Sequence, residues 1–106
     1  MKAVPEEIAA YHNAGLPLTC EIDVQPWFCE FWPLDKLLAY NLDYEVETYA
    51  PELFCFATSG GGEMYALTSS GAIVCIPFVG MAPQESLQIA ESWLQFIAML
   101  HPVPRK

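Results

Sequence analysis

The chain has 106 residues, about one domain, and its 54% hydrophobic content is ample for a single core. Its 13 Asp and Glu against 4 Lys and Arg give a formal net charge of −9; because Lys2, Arg105 and Lys106 sit at the tips, residues 3–104 carry 12 excess negative charges, with Lys36 as the one cation. Nucleic-acid binding through such a body is implausible, since that affinity comes from Lys and Arg neutralising phosphates, and no segment approaches the ~18 uninterrupted apolar residues of a membrane-spanning helix.

The same charge would steer a basic protein toward the chain, although an acidic surface also serves plain solubility. Met1 is not followed by a basic stretch and a long apolar run, so a cytoplasmic protein is expected. Cys20, Cys29, Cys55 and Cys75 are spaced by 9, 26 and 20 residues, without the close pairs of a zinc ribbon or redox motif. All four lie among apolar neighbours and read as buried thiols in a reducing compartment.

In chain order, VPEEIAAYHNAG has Pro5 where a first helical turn tolerates it, Glu6 and Glu7 where the helix dipole favours acid, and Gly15 past the end. Ile8, Ala9 and His12 would share its inner face. In LTCEIDV, Leu18, Cys20, Ile22 and Val24 alternate with polar residues, the period of a half-buried strand. WFCEFW places Trp27, Phe28, Phe31 and Trp32 in a second strand. Pro33 then opens a helix, PLDKLLAYN, with Leu34, Leu37 and Leu38 inward and Asn41 as its stop.

Residues 42–52, LDYEVETYAPE, hold Asp43, Glu45, Glu47 and Glu52, the densest acidic stretch, and read as an irregular strand or a loop. Strands over 53–58, 63–68 and 72–77 follow as a meander, joined by the Gly60–Gly62 turn and by Ser69, Ser70 and Gly71. QESLQIAESWLQFIAML predicts a helix to about Leu100, restarting where Ser92 and Gln95 have capping-box spacing, with Trp93, Phe96, Ile97 and Leu100 inward. HPVPRK is expected to be a frayed tail.

Three glycines in SGGGEMYAL invite comparison with phosphate loops. Glu63 and Met64 follow them in place of the lysine and hydroxyl of a Walker loop, and the run joins two strands where a dinucleotide fingerprint joins a strand to a helix. Positive φ in a tight turn and close backbone approach explain them better; a structural role for the run predicts that Gly61→Val destabilises the fold, and a contact role that it weakens partner binding without unfolding. His12 and His101 stand in no recognisable nucleophile motif, the acidic stretch lacks the DxDxDG pattern of a calcium loop, and no pair of carboxylates is singled out by spacing. No catalytic, metal or cofactor residue is therefore assigned, and a small-ligand pocket beside Tyr65 is the weaker reading.

Together, NAG, FWPLDKLLAYN, SGGGEMYAL, AIVCIPF and IAESWLQFI resemble the SUKH superfamily, which includes fungal regulators of cell-wall synthesis and bacterial immunity proteins encoded beside polymorphic toxins. The resemblance spans about residues 4–100. It implies an α+β fold: a single domain over 1–106, its core at 4–100 and 101–106 frayed, built of a mostly antiparallel curved sheet with N- and C-terminal helices packed against it. It places Gly60, Gly61, Gly62 and Glu63 on the family's glycine motif and Trp93 where an aromatic is usual. It also implies a binding role without catalysis, neutralising a toxin, such as a nuclease, by direct contact; the alternative is an intracellular scaffold or regulator with no toxin partner. Asp43, Glu45, Glu47, Glu52 and Glu63 are the expected contacts for a partner with a basic surface.

Overall fold

The computed structural model describes residues 3–103. The first helix, α1 (Glu6–Asn13), begins after Pro5 and buries Ile8 and Tyr11, while Ala9 and His12 are half-buried at its flank. The strands are β1 (Thr19–Ile22), β2 (Phe28–Phe31), β3 (Leu53–Thr58), β4 (Glu63–Thr68), β5 (Ile73–Pro77), β6 (Leu87–Ala90) and β7 (Leu100–Pro102). They form one antiparallel sheet in the order β6-β5-β4-β3-β2-β1-β7. Six strand spacings would put the edges β6 and β7 about 29 Å apart in a flat sheet. The chain from Ala90 to Leu100 contains the helix α4 (Trp93–Ala98) and reaches only roughly 23 Å. The sheet therefore curls into a half-barrel, as the α+β expectation required.

The two faces of that sheet are filled differently. Tyr11 of α1 stacks on Phe31 at 4.3 Å between ring centroids, and Phe96 of α4 meets Phe56 at 5.6 Å and Tyr65 at 5.7 Å, so the terminal helices share the concave face. In β1 and β2 only that face is covered: Cys20, Ile22, Cys29 and Phe31 are buried while Thr19, Glu21 and Glu30 are exposed. In β4, Met64 and Ala66 are buried as completely as Tyr65, which alternates with them, so both faces carry packing there. The helices α2 (Leu37–Asp43) and α3 (Val46–Tyr49) pack on β3, with Leu37 and Val46 as their buried anchors. All four cysteines are buried.

Several local expectations fail for tertiary reasons. Residues 84–91 are not α-helical: after a single 3-10 turn at Pro83–Glu85, Leu87–Ala90 pair with β5, and the α-helix starts only at Trp93. A partner strand outweighs the modest helix propensity of QESLQIA. The Ser92 cap is as expected, its Oγ accepting from Gln95 N at 3.1 Å, while Gln95 Oε1 accepts from Glu91 N at 2.6 Å. Residues 42–52 form neither strand nor open loop, because α2 continues to Asp43 and Glu45, at φ 56°, turns the chain into α3. Asn41 lies inside α2 and does not end it. The helix stops at Ala98 short of the expected Leu100, and His101 and Pro102 are not a frayed tail: with Leu100 they form the edge strand β7 on β1, where His101 Nε2 lies 2.7 Å from Asp23 Oδ1; residues 104–106 of that expected tail lie outside the described residues.

The glycine run is a turn between β3 and β4. Gly60 (φ 79°) and Gly62 (φ 97°) adopt backbone conformations that side chains disfavour, and a Cβ on Gly60 would stand 3.3 Å from the Phe28 ring. Gly61 has neither constraint, so the steric need falls on its two neighbours and not on the central position.

Candidate protein-binding surface

The region of the acidic stretch is held to the sheet by an unusual clamp. The ladder between β3 and β4 slips between Cys55 and Ala57, a bulge that displaces backbone groups from regular pairing. Asn41, fourteen residues earlier, reads that backbone: its Nδ2 donates to Cys55 O at 2.8 Å, and its Oδ1 accepts from Cys55 N at 2.9 Å. The same Nδ2 also donates to Leu37 O at 2.8 Å within α2. Aromatic contacts fix the other side of α2, with Trp32 edge-on to Tyr40, stacked on Tyr44 at 5.9 Å, and Tyr44 against Phe78 at 4.8 Å.

So anchored, α2 and α3 turn apolar side chains outward. Leu42 is 71% exposed, Tyr49 52% and Leu38 41%. Leu38 was expected to face inward with Leu37; instead Leu37 is fully buried and Leu38 pairs at i, i+4 with Leu42 on an open face. Between α2, α3 and β3 lies a groove of about 230 Å³ lined by Leu38, Leu42, Val46, Leu53 and Phe54, with Asn41 and Glu47 as its polar lining. Glu47 stands in the wall, Asp43 and Glu45 at the turn between the helices, and Glu52 just before Leu53; all four are exposed. Among the described residues the one ion pair is His101 with Asp23, so these acids face no cation there.

Glu63 is not part of this surface. It lines a separate groove of about 290 Å³ with Gln25, Pro26, Trp27, Cys75 and Leu87, where Trp27 is 57% exposed. Of the five expected contacts, Glu47 thus lines this groove, Asp43 and Glu45 stand at the turn beside it, Glu52 lines a neighbouring groove with Pro51, Leu67 and Thr68, and Glu63 lies elsewhere. Leu38, Leu42 and Tyr49 were missed by sequence reasoning; the i, i+4 leucine pair beside the acids was the available signal, hidden because Leu37 and Leu38 look alike until the helix is rotated against the sheet.

The concave side offers no comparable opening at Tyr65, whose side chain is fully buried against Phe56 and Phe96 and whose hydroxyl donates to Phe28 O at 2.7 Å. Burial pushes the Cys20, Cys29 and Cys75 thiols up, Cys75 to about 12 with the Glu63 carboxylate adding to the effect, so none is an activated nucleophile. Burial lowers His12, whose Nε2 has no hydrogen-bond partner. Among the described residues no three His, Cys, Asp or Glu converge as metal ligands, and no helix is long and apolar enough to cross a membrane.

No curated protein matches the chain. The model of the SMI1 / KNR4 family (SUKH-1) matches residues 6–99, from α1 through α4, which include β1 to β6 of the curled sheet and the clamped surface of α2 and α3. The chain belongs to the SMI1 / KNR4 family (SUKH-1).

Proposed function

We propose that this protein is a non-catalytic binding domain of the immunity type, which neutralises a cognate toxin in the cytoplasm by direct contact and occlusion. The observation that carries the reading is the outer surface of α2 and α3, where exposed Leu38, Leu42 and Tyr49 stand among Asp43, Glu45, Glu47 and Glu52. Exposed apolar side chains rimmed by one sign of charge mark an interaction surface for a partner of opposite charge. A toxin whose active groove is cationic, as in enzymes that cleave nucleic acid, supplies that complement. The absence of catalysis is supported by the filled concave face at Tyr65 and the up-shifted thiols; buried cysteine thiols favour a reducing compartment.

Co-expression with the product of the adjacent gene tests the proposal. Cells carrying both should grow where cells carrying the neighbour alone do not. A harmless neighbour, or one as toxic with this protein as without it, would sink the toxin reading and favour the regulator branch of the family.

A further inference from the structure

We infer that the groove between α2, α3 and β3 receives a basic amphipathic helix of the partner, its apolar face seated between Leu38, Leu42 and Phe54 and its Lys or Arg side chains turned toward Glu47 and the neighbouring Asp43 and Glu45. The inference rests on the protein-binding reading and names the element of the partner that binds.

The form of the occupant follows from what the groove exposes. β3 forms its floor at Leu53–Cys55, where one edge pairs with β4 and the other is taken up locally, Leu53 N donating to Ala50 O at 3.0 Å and Asn41 holding both backbone groups of Cys55, so these groups are not open to pair with an incoming extended segment. An extended segment lying there would leave its own N–H and C=O groups against Leu53, Phe54 and Val46; a helix brings its backbone bonds already satisfied and presents only side chains. At about 230 Å³ the groove is smaller than the roughly 300–1,000 Å³ of small-molecule pockets, and suits anchoring side chains better than a whole ligand.

The charge of the occupant follows from the rim. From Leu37 to Val103 the chain has no Lys or Arg, and the rim carboxylates face no cation among the described residues. A second copy cannot supply the complement, because none of α1 to α4 contains Lys or Arg and each copy adds nine negative charges. Nucleic acid is repelled for the same reason.

The test is a titration of the full-length protein with a synthetic helical peptide of leucine and lysine, leucines spaced i, i+3, i+4, i+7, beside a scrambled peptide of identical composition, both at ~0.15 M salt. The amphipathic peptide is expected to bind at least tenfold more tightly than the scrambled one. Leu42→Ala combined with Glu47→Gln should weaken it about tenfold, a loss typical of a central contact, while Trp27→Ala in the other groove leaves it unchanged. Leu42 and Glu47 are exposed, so thermal melts of the variant should match the parent. Equal binding of the scrambled peptide, or sensitivity to Trp27→Ala in place of the groove variant, overturns the inference. Carrying the same variants into the co-expression assay separates the two proposals: neutralisation by the parent that survives Leu42→Ala with Glu47→Gln removes the groove and keeps the toxin reading, whereas failure of the parent removes the toxin reading and leaves the titration to decide the groove.

Discussion

At the scale of single residues, the glycine turn and His12 carry the sharpest consequences. Gly60 combines a left-handed backbone with the Phe28 ring 3.3 Å from where a Cβ would stand, whereas Gly61 is exposed and unconstrained. Gly60→Ala should cost about 1–2 kcal/mol in urea unfolding, and Gly61→Ala less than about 0.5 kcal/mol; equal effects would mean the turn is held by something other than backbone conformation. His12 presents its ring edge to Phe31 and Tyr11, and its Nε2 is buried without a partner, so burial favours the neutral imidazole and lowers its pKa from 6.5. Tyr11, against it, is held neutral by its raised pKa, and its hydroxyl donates to Pro17 O, so it offers no charge to offset a proton. With the folded value below the unfolded one, this stability is fully present above about pH 6.5 and is lost as pH falls through the folded value. His12→Phe should therefore flatten part of the stability loss between neutral and mildly acid pH, measured as urea midpoints across that range. A parallel pair of pH profiles would show that His12 is solvated and not buried.

At the scale of elements, the decisive interaction is Asn41 on Cys55. It ties α2 to the bulge of β3 with two hydrogen bonds and to its own helix with a third. Asn41→Ala should cost about 2–3 kcal/mol, since each such bond contributes about 1 kcal/mol and the backbone it serves is partly buried. The loss should appear as a lower urea midpoint together with earlier amide exchange in Leu37–Asp43 than in β4; uniform exchange would mean that α2 does not depend on the clamp. In the sequence Asn41 resembled a helix stop, a reading that local statistics support. Its real role needs a strand fourteen residues away with a misaligned ladder, which no local pattern contains. The helix expected over 84–100 failed for a similar reason. Gln84–Ala90 has no strong preference of its own and joins the open edge of β5, while Ser92, whose cap is local, was legible as a helix start.

For the whole molecule, acidity and aromatic packing act in opposite directions. Tyr11, Phe31, Phe56, Tyr65, Trp93 and Phe96 contact one another in a chain across the concave face and join both terminal helices to the sheet. Against this, a net charge of −9 on a small body repels itself. Screening should therefore stabilise the protein: between ~10 mM and ~500 mM NaCl, Tm should rise by a few degrees, corresponding to roughly 1 kcal/mol for a domain of this size. A Tm that does not change, or falls, would indicate that the carboxylates are already compensated in the folded state.

The sequence by itself determined the charge, the buried thiols, the first helix, the five strands between Thr19 and Pro77 with the pairing of the last three, the capped helix at Trp93 and the family pattern, because each is written in local periodicity, capping chemistry or composition. Only the tertiary structure decided that Leu38 and Leu42 face out beside Leu53 and Phe54, that Glu47, Glu52 and Glu63 line three different grooves, and that residues 100–102 close onto β1. Those facts depend on how the sheet curls and how α2 is rotated against it, and curvature and rotation come from contacts between residues far apart in the chain, where adjacent positions such as Leu37 and Leu38 carry the same side chain and meet opposite fates.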